Sequence, residues 1–410
     1  MKLAFLVTAS ALAFASAAFA DCGIDKGSVR ILSNDFPALG VVNAAAETCA
    51  SPTVSVTVNQ TADHQDLQVP ALTTNPATYS VAVVANDSIV PLLNAGLVRP
   101  LDDLVAEYGQ GLQPSQLVKI DGKVMAIAFQ INAQHLWLRP DILEQAGITA
   151  QPKSYEDVLA AAEAIRAKGF LKYPLAASDK PGWNLAAEFV NMYMGYGGEL
   201  FEPGTANVSI DNDKGVKALE TMKALAGYMN PDFITFDTNA MQAQWQSGEV
   251  AIENAWGSRA TGVIDPKGKA PEIGAKTLFV GAPTVGGGTV PASTLWWDGF
   301  TIAKNVSDED AAASFQAMVH AIGPDTAKAN PTVAAWLIAG YEPTPAARGV
   351  IETLKAGGKP YPMVPTMGIL HTALGDNLIG YLQGSETAEQ ALADATKAYQ
   401  TAAKEAGFLK

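Results

Sequence analysis

The sequence predicts an α/β protein folded into two lobes, and three features lead there. Short apolar runs of strand type alternate with helical periodicity along the first part of the chain, as in a sheet covered by helices on both faces. A chain of 410 residues that is 48% hydrophobic can bury a substantial core and should divide it between two domains. The stretch 119–148, KIDGKVMAIAFQINAQHLWLRPDILEQAGI, reads as a passage from one lobe to the other across a cleft.

The chain opens on an export signal. Met1 and Lys2 give a charged start, 3–17 is an apolar run interrupted by Thr8, Ser10 and Ser16, and Ala18-Phe19-Ala20 is a cleavage site. The run is too short and too often broken to anchor the chain in a membrane. Asp21 does not suit lipid attachment at Cys22, so the expected product is soluble, periplasmic and begins at Asp21. Cys22 and Cys49 are the two cysteines, and an oxidising compartment favours a disulfide between them, worth roughly 3 to 4 kcal/mol on the chain-entropy model. Loss of Lys2 leaves 26 basic against 41 acidic side chains, a net −15. Such a balance argues against nucleic acid or anionic lipid as partner and says nothing about a neutral ligand.

Next come a strand at 28–33, a helix at 37–50, a strand at 53–59 with near-perfect alternation (TVSVTVN), a helix at 64–73, a buried strand at 79–85 (YSVAVVA) and a helix at 88–94. Ligands of such sheets gather beyond the carboxyl ends of the strands. Those ends are Asn34-Asp35, Asn59-Gln60 and Asn86-Asp87, although turn formation alone would explain any one pair. Asp121-Gly122 signals a hairpin. It leads into strands at 123–128 and 133–138, between which FQINAQ carries Gln130, Asn132 and Gln134 as donors and acceptors. Pro140 then starts a short helix that Gly147 ends.

Beyond the crossing the chain is mainly helical. Ser154 to Asp157 forms a capping-box start to a helix reaching 168, 173–178 is a strand, and Trp183 and Asn184 open another helix. Helices follow at 211–226 and 238–247, then a turn and strand at 247–256 that deliver Asn254 and Trp256. VGGGTV at 285–290 is a flexible loop without the spacing or lysine of a phosphate-binding loop. The segment 294–303 carries Trp296, Trp297 and Asp298 into a strand, and Ser307 caps the helix after it.

The order GK strand, polar crossing, LWLRPD, short helix ending AGI resembles the extracellular solute-binding proteins of ABC transporters, in the carbohydrate-binding group that includes maltose-binding protein. SGEVAIENAW, TLWWDGFTIAKNVSDEDAAASFQAM and YPMVPTMGILHTAL resemble later segments of the same family, with His371 near the position of a sugar-stacking aromatic. The resemblance implies the type II periplasmic binding fold, with lobes of 21–131 plus 283–328 and 132–282 plus 329–410, hinged near 130–132, 279–283 and 329–336. It also implies a monomer that closes around its ligand and docks on membrane permease subunits. Asp35, Asp87 and Asn132 fall where members hold sugar hydroxyls, with Gln65 and its neighbours His64 and Asp66 as further candidates; Arg348 is a late-chain candidate.

Sugars present C–H faces to aromatic rings and hydroxyls to fixed polar groups. Trp183, Trp256, Trp296 and Trp297 are the candidate platforms, beside Asn184, Asn254, Arg259 and Asp298. Core packing is the plainer account of any tryptophan, more so for Trp137, Trp245 and Trp336. If 296–297 is strand, its two indoles point to opposite faces, one to ligand and one to core. The four histidines form no HExxH, and neither GxSxG nor a cysteine pair at metal spacing occurs. No metal or cofactor is therefore expected. Asp35, Asp87 and Asp298 could pair as in a glycosidase, but acids in a sugar cleft more often accept hydroxyl hydrogen bonds. The alternatives to a sugar-binding protein are a binding protein for a polyamine or other polar solute, and a secreted glycoside hydrolase.

Overall fold

The computed structural model describes residues 22–410; the expected leader at 1–20 lies outside the described residues. Alternating strands and helices build the first sheet. Strands β1 (Gly27–Ser33), β2 (Val54–Gln60) and β3 (Val81–Ala85) run parallel, with the helices Pro37–Glu47 and His64–Thr73 as crossovers. Strand β4 (Leu117–Ile120) turns at Asp121 and Gly122, both at positive φ as an Asp-Gly hairpin requires, into β5 (Lys123–Asn132).

After Ala133 the chain enters a second sheet. It holds β6 (Gln134–Leu138), β7 (Leu175–Ala176), β8 (Ile252–Trp256) and β9 (Leu278–Val280) in the order β7-β8-β6-β9. Between them the helix Tyr155–Ala167 has the expected capping box, in which Ser154 accepts from the Asp157 amide and the Asp157 carboxylate accepts from that of Ser154. The chain returns through β10 (Thr294–Ile302), which lies antiparallel between β3 and β5. Strands β11 (Ala335–Trp336) and β12 (Lys359–Pro360) add to β5 and β10. The last long helices, Met367–Asn377 and Ala388–Glu405, pack with Trp183–Gly195 and Asp213–Ala226 over the second sheet. Each sheet thus has its own apolar core. Cys22 and Cys49 form the disulfide. Among the described residues no helix is long and apolar enough to cross a membrane.

Three expectations shift. FQINAQ is not an open crossing: Gln130 and Asn132 lie in β5, paired with Asp298 and Trp296 of β10, so the passage between sheets narrows to Ala133. The segment 283–292 packs on the second lobe, where Thr284 accepts from the Tyr155 amide and Val285 joins the second core, so the return is made at the start of β10 rather than at 279–283. Ala335 and Trp336 pair with β5, so 329–336 stays on the first sheet, and the chain regains the second lobe only at the helix Arg348–Lys355, beside β6 and β9. All three depend on pairings between residues far apart in sequence, which local pattern does not encode.

A bulge between Asp298 and Gly299 breaks the β10 register where it passes β5. A Cβ on Gly299 would collide with the Ile127 carbonyl, so only glycine lets the strands meet there.

Candidate functional site

Where the first sheet faces the second lobe, a cleft opens. Its first-lobe wall comes from the carboxyl ends of β1 and β3, as parallel strands dictate: Asn34 and Phe36 follow β1, Asp87 follows β3, and His64 and Gln65 start the helix after β2. The floor is Asn132 of β5 with Trp296 and Asp298 of β10. Trp183, Thr238, Trp256, Ser258 and Arg259 form the second-lobe wall.

Asp87 is fixed from both lobes. Its Oδ1 accepts from the Ser88 amide at 2.7 Å, and its Oδ2 from Gln65 Nε2 at 3.2 Å and from the Trp183 indole Nε1 at 2.9 Å across the cleft. Gln130 lies beneath, buried, and donates to Asp298 Oδ2 at 2.6 Å. Asp298 keeps a partial opening to the cleft, yet protein surrounds its carboxyl. Burial pushes it up to about 7, the negative Asp87 adds to the rise, and the Gln130 hydrogen bond opposes it. Asn132 is held by Ser258: its Oδ1 accepts from the Ser258 amide at 3.1 Å, and its Nδ2 donates to Ser258 Oγ at 3.1 Å.

Three indoles pack on one another beside these groups. Trp183 lies 5.9 Å from Trp256 and 5.6 Å from Trp296 between ring centroids, and Trp256 meets Trp296 edge-on at 5.7 Å. His371, expected near a stacking position, supports the cluster from behind. One ring nitrogen is 2.7 Å from the Tyr361 hydroxyl and the other 2.9 Å from the Trp183 carbonyl, and burial lowers its pKa. A buried chain of hydrogen bonds also holds the floor. Trp296 Nε1 donates to Thr294 Oγ1, Thr294 to Asn191 Oδ1, Asn191 to Gln134 Oε1, and Gln134 to Glu188 Oε1. Burial raises the Glu188 carboxyl and the neighbouring Asp179, so the chain ends on a protonatable group inside the second lobe.

Of the predicted site residues, the cleft gathers Gln65, Asp87, Asn132, Trp183, Trp256, Trp296 and Asp298, with Gln130 directly behind Asp298. Others fall outside it. Asp35 is exposed and accepts from Gln60, because the turn after β1 directs Asn34 and Phe36 inward in its place. Trp297 packs on the first-lobe core, so the adjacent indoles of β10 do face opposite ways. Asn184 is one shell back, accepting from Thr238 Oγ1 at 3.2 Å. Arg348 is exposed and paired along its own helix with Glu352 at 2.7 Å.

Phe36, Thr238 and Ser258 were not expected; each sits in a turn or at a helix start where sequence gives no facing direction. Arg259, noted only as a neighbour of Trp256, has the most distinctive setting. It is half-buried in the cleft wall and, among the described residues, makes no hydrogen bond or ion pair. Burial lowers its pKa, against the raising effect of Asp35 and Asp237.

The comparisons with known proteins agree with this architecture. The model of the bacterial extracellular solute-binding protein family matches residues 42–319. An ABC transporter-binding protein of Deinococcus radiodurans is 27% identical over 195 residues, 45% of this chain and 44% of the relative. The matches span 44% to 62% of the length of the curated relatives. Among solved structures, a solute-binding protein of Agrobacterium radiobacter in complex with ribitol superimposes at a TM-score of 0.79 and 18% identity, covering 92% of this chain and 99% of that one. Maltose-bound MalE3 of T. maritima gives 0.78, also at 18% identity and with the same coverage. At such identity these two likenesses establish the two-lobe fold.

Proposed function

The chain belongs to the bacterial extracellular solute-binding protein family, and we propose that it is the solute-capturing component of an ABC importer, holding a sugar or sugar-like polyol between its lobes. The two neighbours in structure are complexes with maltose and with ribitol, which supports this ligand class. One observation carries the reading: carboxylates, amides, an unpaired guanidinium and indole rings converge from both lobes on one cleft. Hydroxyls both donate and accept, so a polyol satisfies Asp87 and Asp298 as donor and Arg259 as acceptor, while its C–H face covers Trp183.

The lobes rotate about the passages at Ala133, the start of β10 and the segment after Trp336. The liganded form gains contacts that the open form lacks, and that difference drives closure. The closed form is then the one that docks on membrane permease subunits. Delivery through a cleaved leader at 1–20 to the periplasm completes the proposal, and the protein acts as a monomer. A polyamine, the alternative ligand, would bring its ammonium groups beside the Arg259 guanidinium in the same wall. Against a hydrolase stands the family to which the chain belongs, one of solute-binding proteins.

A thermal-shift screen of sugars, alditols and polyamines on the mature protein tests the reading. A sugar or alditol at 100 times its Kd should add about 2.7 kcal/mol of stability. Stabilisation by polyamines alone would overturn it.

A further inference from the structure

We propose that the cleft accepts a single polyol unit, a monosaccharide or an alditol of similar size, and excludes oligosaccharides, with Arg259 as the second-lobe residue that selects it. The inference rests on the polyol reading above and adds the size of the ligand and one residue that decides it.

The first support is the state of the indoles. Each sugar ring in a chain needs an apolar face to rest on. Trp256 and Trp296 are each only 6% exposed, because they pack on each other and on Trp183. Trp183 alone of the three is half-buried, and the other half-buried aromatic of the cleft, Phe36, stands on the opposite, first-lobe wall, so the two offer a pair of faces across the cleft where an oligosaccharide would need a row along it.

The second support is that the two lobes approach each other on either side of the cleft, which narrows it there. On one side Trp183 donates to Asp87, and the Asn86 side chain donates to the Tyr361 carbonyl at 3.3 Å, so residues of the two lobes meet at that edge. On the other, the helix Pro37–Glu47 that follows Phe36 approaches the turn Gly257–Arg259 to within 8 Å between Cα atoms.

Arg259 supplies the third. A half-buried guanidinium without a partner is a rigid fork of donors suited to two adjacent hydroxyl oxygens. Asp87 and Asp298 across the cleft retain lone pairs for the hydrogens of the same unit. Donor and acceptor walls facing each other across one cavity fit a compact ligand that carries both functions.

Isothermal titration of the mature protein separates the outcomes. The probes are a panel of hexoses, pentoses, D-mannitol and ribitol, set against maltose, cellobiose and maltotriose. The proposal expects binding within the first set, with the oligosaccharides at least about tenfold weaker. An oligosaccharide that binds as tightly as any monomer overturns the size limit and leaves the polyol reading standing; silence from both sets overturns both. Arg259→Ala should weaken the best monomer about tenfold, and Arg259→Lys should restore only part of the loss, with the melting temperature of the ligand-free protein unchanged in both. Arg348→Ala, outside the cleft, should bind as the parent does. Undiminished affinity in Arg259→Ala overturns the role of Arg259.

Discussion

The two faces of the second sheet carry tryptophans of the same chemistry put to different ends. On one face Trp137 of β6 packs edge-on against Trp245 at 5.8 Å and Phe279 at 5.3 Å, among small and apolar neighbours. On the other, Gln134 of β6 and Asn254 and Trp256 of β8 support the three-indole cluster that borders the cleft. Residues one apart in β6 and β8 therefore belong to different structures. An indole becomes a site residue here through the carboxylates and amides around it, and Trp183 is set by Asp87 while Trp245 merely donates to Thr277 at 3.0 Å.

The largest effect should come from the packed face. Trp245→Ala removes a fully buried side chain, and chemical denaturation should show a loss of about 3 to 5 kcal/mol, with the folded fraction binding ligand unchanged. Next is the chain beneath the cleft. Glu188→Ala leaves the buried Gln134 amide without its acceptor and should cost about 2 to 3 kcal/mol; it should also alter the near-ultraviolet dichroism of the indoles through Trp296. A mutant whose spectrum matches the parent would disconnect the chain from the cluster.

Trp183→Ala should invert the Trp245→Ala result. Half-buried and bonded across the cleft, Trp183 should matter little to stability of the free protein and lower ligand affinity about tenfold, near 1.4 kcal/mol, by titration calorimetry. Equal losses of stability in the two variants would erase the distinction between the faces.

The last comparison is in pH. Asp179, Glu188, Asp298 and Glu253 all have carboxyls raised by burial, so their contribution is fully present below the ordinary carboxylate pKa and is lost as pH rises through neutrality and above. His135, on the packed face, is lowered to about 4 by burial, so its contribution is present above its ordinary 6.5 and is lost as pH falls toward 4. The melting temperature should decline from mildly acidic to alkaline pH, and Glu188→Gln should make that limb shallower while leaving the acid limb as it was.

Much of this was legible from local pattern. The alternation of 53–59, the Ser154 capping box, the Asp121-Gly122 turn and the start of a helix at Trp183 are set within a few residues, and each is seen. Asp87 and Asp298 were found as polar residues beside apolar strands, which is also a local property. What escaped depends on direction or on distant partners. Asp35 and Asn34 are neighbours, and only the turn geometry decides which faces inward. The strand character of 129–132 comes from β10, more than 160 residues further on in the closest pairing. Arg259 escaped because its significance is the absence of a partner, which no sequence displays.

The central claim is that one cleft, closed by the Trp183 to Asp87 hydrogen bond, holds the solute. Its most direct test is a crystal structure of the mature protein with the sugar or alditol that gives the largest thermal shift. The account predicts ligand density between Asp87 and Arg259, in contact with the Trp183 ring. Density outside that cleft, with Arg259 still unengaged, would contradict it.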